Sequence, residues 1–132
     1  MKALGGKITR GLTTESTLVC ADNSGAKECQ IINFKVYKCH KRRNQSGGIG
    51  AVVTCTVTKG DFKLRHKVHY GIIVRQKKEF RRNNGMRVAF EDNAIILVDK
   101  KLAPLGTEIK GPIAREVVER YLPVGKLASI VV

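Results

Sequence analysis

Most of this chain reads as β-strand, and several stretches alternate apolar and polar residues with the two-residue period. Leu18-Val19-Cys20 leads into Asp22-Asn23-Ser24-Gly25, a turn-forming cluster. Cys29 to Tyr37 reads as a second strand, with Ile32, Phe34 and Val36 on one face and Lys35 and Tyr37 on the other. From Ala51 to Thr58, Val53, Cys55 and Val57 alternate with Thr54, Thr56 and Thr58, which suits a half-exposed pleated surface. Val68, Tyr70, Ile72 and Val74 mark one face of the next strand. Strand-like sequence continues through Gln76-Lys77-Lys78-Glu79-Phe80 to Asn84-Gly85, a strong hairpin signal, and returns through Arg87-Val88-Ala89-Phe90. Ala94 to Val98 is a last strand. Between these, Lys38 to Gly50 has no period and reads as a flexible loop running into a strand.

The pattern changes near the C-terminus. Ile113, Val117 and Tyr121 fall at i, i+4 and i+8, with Ala114 and Val118 beside them and Arg115, Glu116, Glu119 and Arg120 opposite. This predicts an amphipathic helix of about nine residues. Gly111-Pro112 stands where it can begin, Glu116 and Arg120 form an i,i+4 pair, and Pro123 and Gly125 end it. Periodicity leaves Lys126 to Val132 open between helix and strand. Several short strands separated by turns predict a mainly β protein built on a small closed barrel. A length of 132 residues predicts one domain, 1–132, long enough to bury a core of its own.

Charge adds the functional signal. Residues 35–82 hold fourteen Lys and Arg against Asp61 and Glu79, a net +12, whereas residues 1–34 and 83–132 carry +1 each. A field of that density repels itself, and a polyanionic partner, most simply nucleic acid, is the reason to keep it. The start, Met1 to Lys7, has no apolar core of a signal peptide, and no apolar run is long enough to span a bilayer. The expectation is an intracellular protein without a membrane partner. Cys20, Cys29, Cys39 and Cys55 are then expected to be buried free thiols.

Catalytic constellations are lacking. His66 and His69 lie at a strand entrance, where i and i+3 point apart, and the cysteine gaps match no zinc spacing. Gly47-Gly48-Ile49-Gly50 precedes a valine-rich strand instead of the helix a phosphate cradle requires. Asp22 reads as a turn former, and Glu91 and Asp92 as partners for Lys and Arg. The expectation is a non-enzyme with no cofactor, metal or small-molecule substrate. With a two-residue loop at Asn84-Gly85, Arg82 would face Arg87, Lys78 would face Glu91 and Lys77 would face Asp92. The like-charged Arg pair would be relieved by a polyanion. Only Phe62, Phe80 and Tyr37 offer themselves as stacking platforms, so contacts to phosphates and to the shape of folded RNA are expected to dominate.

The runs Cys20-Ala-Asp-Asn-Ser-Gly-Ala-Lys27, Val74-Arg-Gln-Lys-Lys78, Arg81-Arg82 followed by Gly85, Phe90-Glu-Asp-Asn-Ala94 and Gly106-Thr-Glu-Ile-Lys-Gly-Pro-Ile-Ala-Arg-Glu116 resemble, in order, the universal large-ribosomal-subunit protein fourteen family in its archaeal or eukaryotic form. Ser24 stands where Thr is common, Asn84 and Ala51 where Asp is common, and the Lys38–Gly48 loop is idiosyncratic. The resemblance implies a five-stranded barrel over about residues 1–100, a projecting hairpin over about 74–90 and a C-terminal helical segment over about 104–132. It implies a place in the cytoplasmic ribosome, at the subunit interface of the large subunit. The implied partners are large-subunit rRNA, small-subunit rRNA at intersubunit bridges, neighbouring ribosomal proteins, and an anti-association factor at the C-terminal segment. The near-neutral charge of residues 83–132 suits a protein partner there.

The candidate rRNA-binding residues are Lys41, Arg42, Arg43, Lys63, Arg65, Arg75, Lys77, Lys78, Arg81, Arg82 and Arg87. A free RNA chaperone of the oligonucleotide-binding barrel kind is disfavoured by the few exposed aromatics, and an RNA-modifying or nucleolytic enzyme by the missing acid–base and metal groups. If about six of the basic groups neutralise phosphates, affinity for RNA falls roughly a thousandfold between 50 and 200 mM salt. A binding titration with a salt slope near zero would exclude phosphate recognition.

Overall fold

Ile72-Ile73-Val74 and Ala94-Ile95-Ile96-Leu97-Val98 are apolar without alternation, and strands of that composition need cover on both faces. The computed structural model, which describes residues 6–35 and 41–132, has a separate core on each face. In chain order the elements are β1 (Leu12–Thr13), β2 (Thr17–Cys20), β3 (Ala26–Phe34), β4 (Ser46–Gly47), β5 (Val52–Gly60), β6 (Val68–Arg75), β7 (Phe80–Arg81), β8 (Arg87–Val88), β9 (Ala94–Val98), β10 (Ile109–Ile113), α1 (Arg115–Arg120), α2 (Leu122–Gly125) and β11 (Ala128–Val131).

Strands β2, β3, β5, β6 and β9 close into a barrel in that order. Neighbours are antiparallel except for β9, which closes the barrel parallel to β2. Inside lie Leu18, Ile31, Val53, Val57, Ile73, Ile95 and Leu97. On the outer face Ile72, Val74, Ile96 and Val98 meet Ile109, Ile113, Val117, Tyr121 and Val124 from the C-terminal segment. Each such side chain contributes about 1.5–3 kcal/mol by leaving water. The Tyr121 hydroxyl is satisfied by donating to the Gly50 carbonyl at 3.0 Å.

Cys20, Cys29 and Cys55 are free thiols buried among the interior residues. A hydrogen bond with Cys20 pulls the Cys29 thiol down, but its bond with Cys55 and burial outweigh this and leave it at about 12. Cys20 is pushed further up, by its bond with Cys29, then by burial and the nearby Asp22. Both remain neutral thiols and serve as small apolar side chains. Cys39 and His40, with Val36 and Tyr37 at the end of the predicted second strand, lie outside the described residues.

The predicted alternation holds in β5 and fails in β3. A register shift between Ile31 and Asn33 puts Ile31 into the core and leaves Ile32 exposed, as expected of a bulge that reverses the phase of the strand. In β6, Ile73 is buried as deeply as Ile72 and Val74, while Val68 is exposed. Gly47 and Gly48 belong to no loose loop. Gly47 pairs with Leu12, and a Cβ on Gly48 would collide with the Thr9 carbonyl oxygen.

The C-terminal segment also departs from its pattern. Gly111-Pro112 lies within β10, and Lys126–Val132 contains β11, which pairs parallel with β10. The helix α1 is six residues long, and Pro123 and Gly125 sit inside α2 instead of ending one nine-residue helix. The buried face is as predicted, with Ile113, Val117 and Tyr121 turned to the core.

Arg75 locks this segment to the barrel. Its Nε and Nη2 donate to Asp92 Oδ1 and Oδ2 at 2.7 and 2.9 Å, and its Nη1 donates to the carbonyls of Lys110 and Pro112, both at 3.0 Å. Arg75→Leu leaves a carboxylate and two carbonyls without their donors and is expected to cost about 2–3 kcal/mol in urea unfolding. The hydrogen bond from Arg75 holds the Asp92 carboxyl below its ordinary value. The resulting stabilisation is therefore complete above the ordinary carboxylate range, at about pH 4, and is lost as pH falls through the lower folded value. In Asp92→Asn that part of the acid limb is expected to vanish from stability measured by circular dichroism against pH.

Candidate nucleic-acid interface

The hairpin tip is set by a three-residue loop, which corrects the two-residue reading of Asn84-Gly85. Phe80 pairs with Val88 and Arg81 with Arg87. Arg82 N–H donates to the Met86 carbonyl at 2.9 Å, and Gly85 N–H donates to the Arg82 carbonyl at 3.0 Å. Gly85 has φ +85°, the left-handed conformation that ends such a loop. Register moves by one residue, and every facing pair changes with it. Arg81, not Arg82, lies opposite Arg87. Lys77 and Lys78 do not pair with Asp92 and Glu91: Asp92 is held by Arg75, and the Lys77 N–H donates to Asn93 Oδ1 at 2.8 Å.

The four arginines predicted on this ribbon therefore have different roles. Arg81 is exposed and makes no ion pair among the described residues. Arg87 is exposed and reaches Glu79 at 2.5 Å, an ion pair in water that contributes little. Arg82 is turned inward: its Nε and Nη2 donate to Glu116 Oε1 and Oε2 at 2.6 and 3.1 Å, and Nη2 also donates to the Val132 carbonyl at 2.7 Å. Glu116 thus serves the hairpin, where the sequence pairs it with Arg120. Arg75 is buried in the C-terminal clasp described above. Phe80, one of the three candidate stacking aromatics, is buried at the hairpin base.

Gln76 anchors the near end of the ribbon. Its Oε1 accepts from Ile49 N–H at 3.2 Å, and its Nε2 donates to the carbonyls of Thr9 at 3.2 Å and Lys78 at 2.7 Å. Lys77 and Lys78 emerge from this anchor into solvent. Lys7 joins Arg81, Arg82 and Asn83 around one hollow, and Arg115 lines the adjoining one with Glu116 and Glu119. Nothing in the sequence marks Lys7 or Arg115 for this place, since only the folded chain brings residues so far apart together.

Two further basic zones lie elsewhere. Lys41, Arg42 and Arg43 are exposed ahead of β4, and Lys63 and Arg65 are exposed in the turn between β5 and β6. Asp22 and Asn23 are structural. Asp22 is buried, where Oδ1 accepts from Ser24 N–H at 3.0 Å and Oδ2 from Leu97 N–H at 2.7 Å. Asn23 Oδ1 accepts from Thr107 N–H and Glu108 N–H at 2.8 and 3.2 Å, which holds the C-terminal segment at its start.

Among the described residues no group of His, Cys, Asp and Glu is gathered to hold a metal, and no helix is long and apolar enough to cross a membrane. A small barrel that buries Asp22, Arg75 and Gln76 and leaves most of its other lysines and arginines exposed is a basic β-barrel module. The chain belongs to the ribosomal protein L14p/L23e family, whose model matches residues 11–132. It is a structural protein and not an enzyme. Over 132 residues, the whole of both chains, it is 49% identical to large ribosomal subunit protein uL14 of Methanoregula boonei and 46% identical to that of Haloarcula marismortui. It is 48% identical to the Methanococcus maripaludis uL14 over 131 residues, 99% of each chain. These relatives are archaeal, in agreement with the resemblance read from the sequence.

Arg82 and Glu116 are each only 14% exposed, so Arg82→Ala strands a largely buried carboxylate. It is expected to lower stability by about 2 kcal/mol. Arg81→Ala, its neighbour in water, should stay within about 0.5 kcal/mol of the native chain. Equal losses for the two in urea titrations would contradict the division of roles.

Proposed function

We propose that the chain, as a single domain over residues 1–132, is a structural constituent of the large ribosomal subunit in the cytoplasmic ribosome and binds large-subunit rRNA. The observation that carries this reading is the net +12 of residues 35–82 combined with its presentation: nine of the eleven candidate basic side chains are exposed. Lys41, Arg42, Arg43, Lys63, Arg65, Lys77, Lys78, Arg81 and Arg87 contact phosphates. Arg75 and Arg82 act behind them, holding the ribbon and the C-terminal segment in place. The full-length likeness to proteins named for the large subunit supports the same assignment.

In this reading the chain lies at the subunit interface, where the hairpin, with Lys7 beside Arg81, contributes to bridges with small-subunit rRNA. The C-terminal segment faces proteins, among them neighbouring ribosomal proteins and an anti-association factor. Its net charge of only +1 supports a protein partner, as does an open groove where Leu102, Val118, Tyr121, Leu122 and Pro123 lie beside Lys101, Glu119 and Arg120. Leu122 is 71% exposed there, an apolar side chain a partner could cover.

Sedimentation of the tagged chain through a sucrose gradient tests the assignment. The native chain is expected to run with the large subunit, and a free RNA chaperone would stay in the light fractions. The triple variant Lys77→Ala, Lys78→Ala, Arg81→Ala, at three exposed positions, is expected to fold but to be depleted from large subunits or to impair subunit joining. Unchanged incorporation and joining would remove the hairpin from the interface.

A further inference from the structure

Among the described residues Phe62 is the one exposed aromatic. It is 91% accessible, whereas Phe34, Phe80 and Tyr121 are buried and Tyr70 and Phe90 are half-buried. It stands at the turn between β5 and β6, and Lys63, Arg65, His66 and Lys67 line a shared hollow with it. An exposed apolar side chain is ordinary by itself. An exposed phenyl ring that shares a hollow with three cationic side chains and an imidazole is a more specific arrangement.

The turn that carries the ring is held from several sides. Asp61 N–H donates to the Gly25 carbonyl at 3.0 Å, and the Asp61 carbonyl accepts from Leu64 N–H at 3.0 Å and Arg65 N–H at 3.1 Å. His66 N–H donates to the Val57 carbonyl at 3.3 Å, and the Leu64 carbonyl lies 3.2 Å from His69 Nε2. Leu64 packs against the barrel interior. His66 takes the left-handed conformation, φ +58°. The backbone under the ring is thus preorganised, so a ligand need not pay to order the turn.

We propose that Phe62 is a stacking platform for one unpaired RNA base, with the flanking phosphates held by Lys63, Arg65 and Lys67. The charge selects this occupant. An apolar pocket of a protein partner that swallowed the ring would strip water from the surrounding cations without compensating them. A nucleotide satisfies both parts at once, since its base offers a π-face to the ring and its phosphates offer anions to the rim. This adds a base contact at a defined point to a protein otherwise expected to read phosphates and RNA shape. It rests on the rRNA-binding reading above and goes beyond it.

The chain has no tryptophan, so Phe62→Trp introduces a single fluorescent reporter at the site. On binding of the full chain to protein-free large-subunit rRNA, its emission is expected to be quenched by stacking. Phe62→Ala should weaken binding on the order of tenfold while leaving the salt slope unchanged, and Lys63→Ala should lower the slope by about one. Unchanged emission when the Phe62→Trp variant binds the rRNA, or native affinity in Phe62→Ala, overturns the stacking site. Emission that changes only in the assembled subunit also overturns it, in favour of a protein contact. Failure of the native chain to bind the rRNA at all defeats the rRNA reading itself, a result distinct from the others.

Discussion

The arrangement of this protein depends on strands β6 and β9 being apolar on both faces. Ile73, Ile95 and Leu97 are covered by closing the barrel, but Ile72, Val74, Ile96 and Val98 would then face water. The C-terminal segment covers them, and it does so with a parallel pair of two short strands and two short helices. Neither helix is long enough to be stable by itself. They hold because the apolar side chains of β10, α1 and α2 are the missing half of a core that the barrel has already begun.

Apolar cover alone does not fix the position of that segment, because hydrophobic contact is not directional. Polar groups supply the direction. Arg75 reaches outward from β6 to two carbonyls of β10, Asn23 receives the backbone at Thr107 and Glu108, and Arg82 binds Glu116 of α1 and the terminal carbonyl. In sequence Arg75 and Arg82 look like phosphate-binding cations and Asn23 like part of a turn. Their role in the fold is to register the cover on the barrel. The positive charge left outside, at Lys77, Lys78, Arg81 and the turn around Phe62, is then displayed from rigid supports.

Much of the fold can be read along the chain. The Val–Thr alternation of β5, the continuous apolar run of β9 and the apolar face of Ile113, Val117 and Tyr121 are local patterns, and the structure has them all. The misreadings have physical causes too. Ile32 follows the alternation until a bulge, which has no residue signature here, reverses the phase. Asn-Gly serves two-residue and three-residue loops alike, so it announces a hairpin but not its register. Gly111-Pro112 can open a helix or lie in a strand, and pairing with β11, further along the chain, decides between them.

By itself the sequence determined that the protein is mainly β, strongly basic in its middle and without a catalytic constellation, and its ordered motifs pointed to the family. These properties depend on composition and on short-range periodicity, which a linear reading contains. Only the tertiary structure decided which cations remain outside. Arg75, Arg81 and Arg82 are alike in type and lie within eight positions of one another, yet one is buried, one is exposed and one is paired with a helix. The difference lies in the acceptors each can reach, the Lys110 and Pro112 carbonyls or the Glu116 carboxylate, and these arrive only when the distant C-terminal segment closes over the barrel.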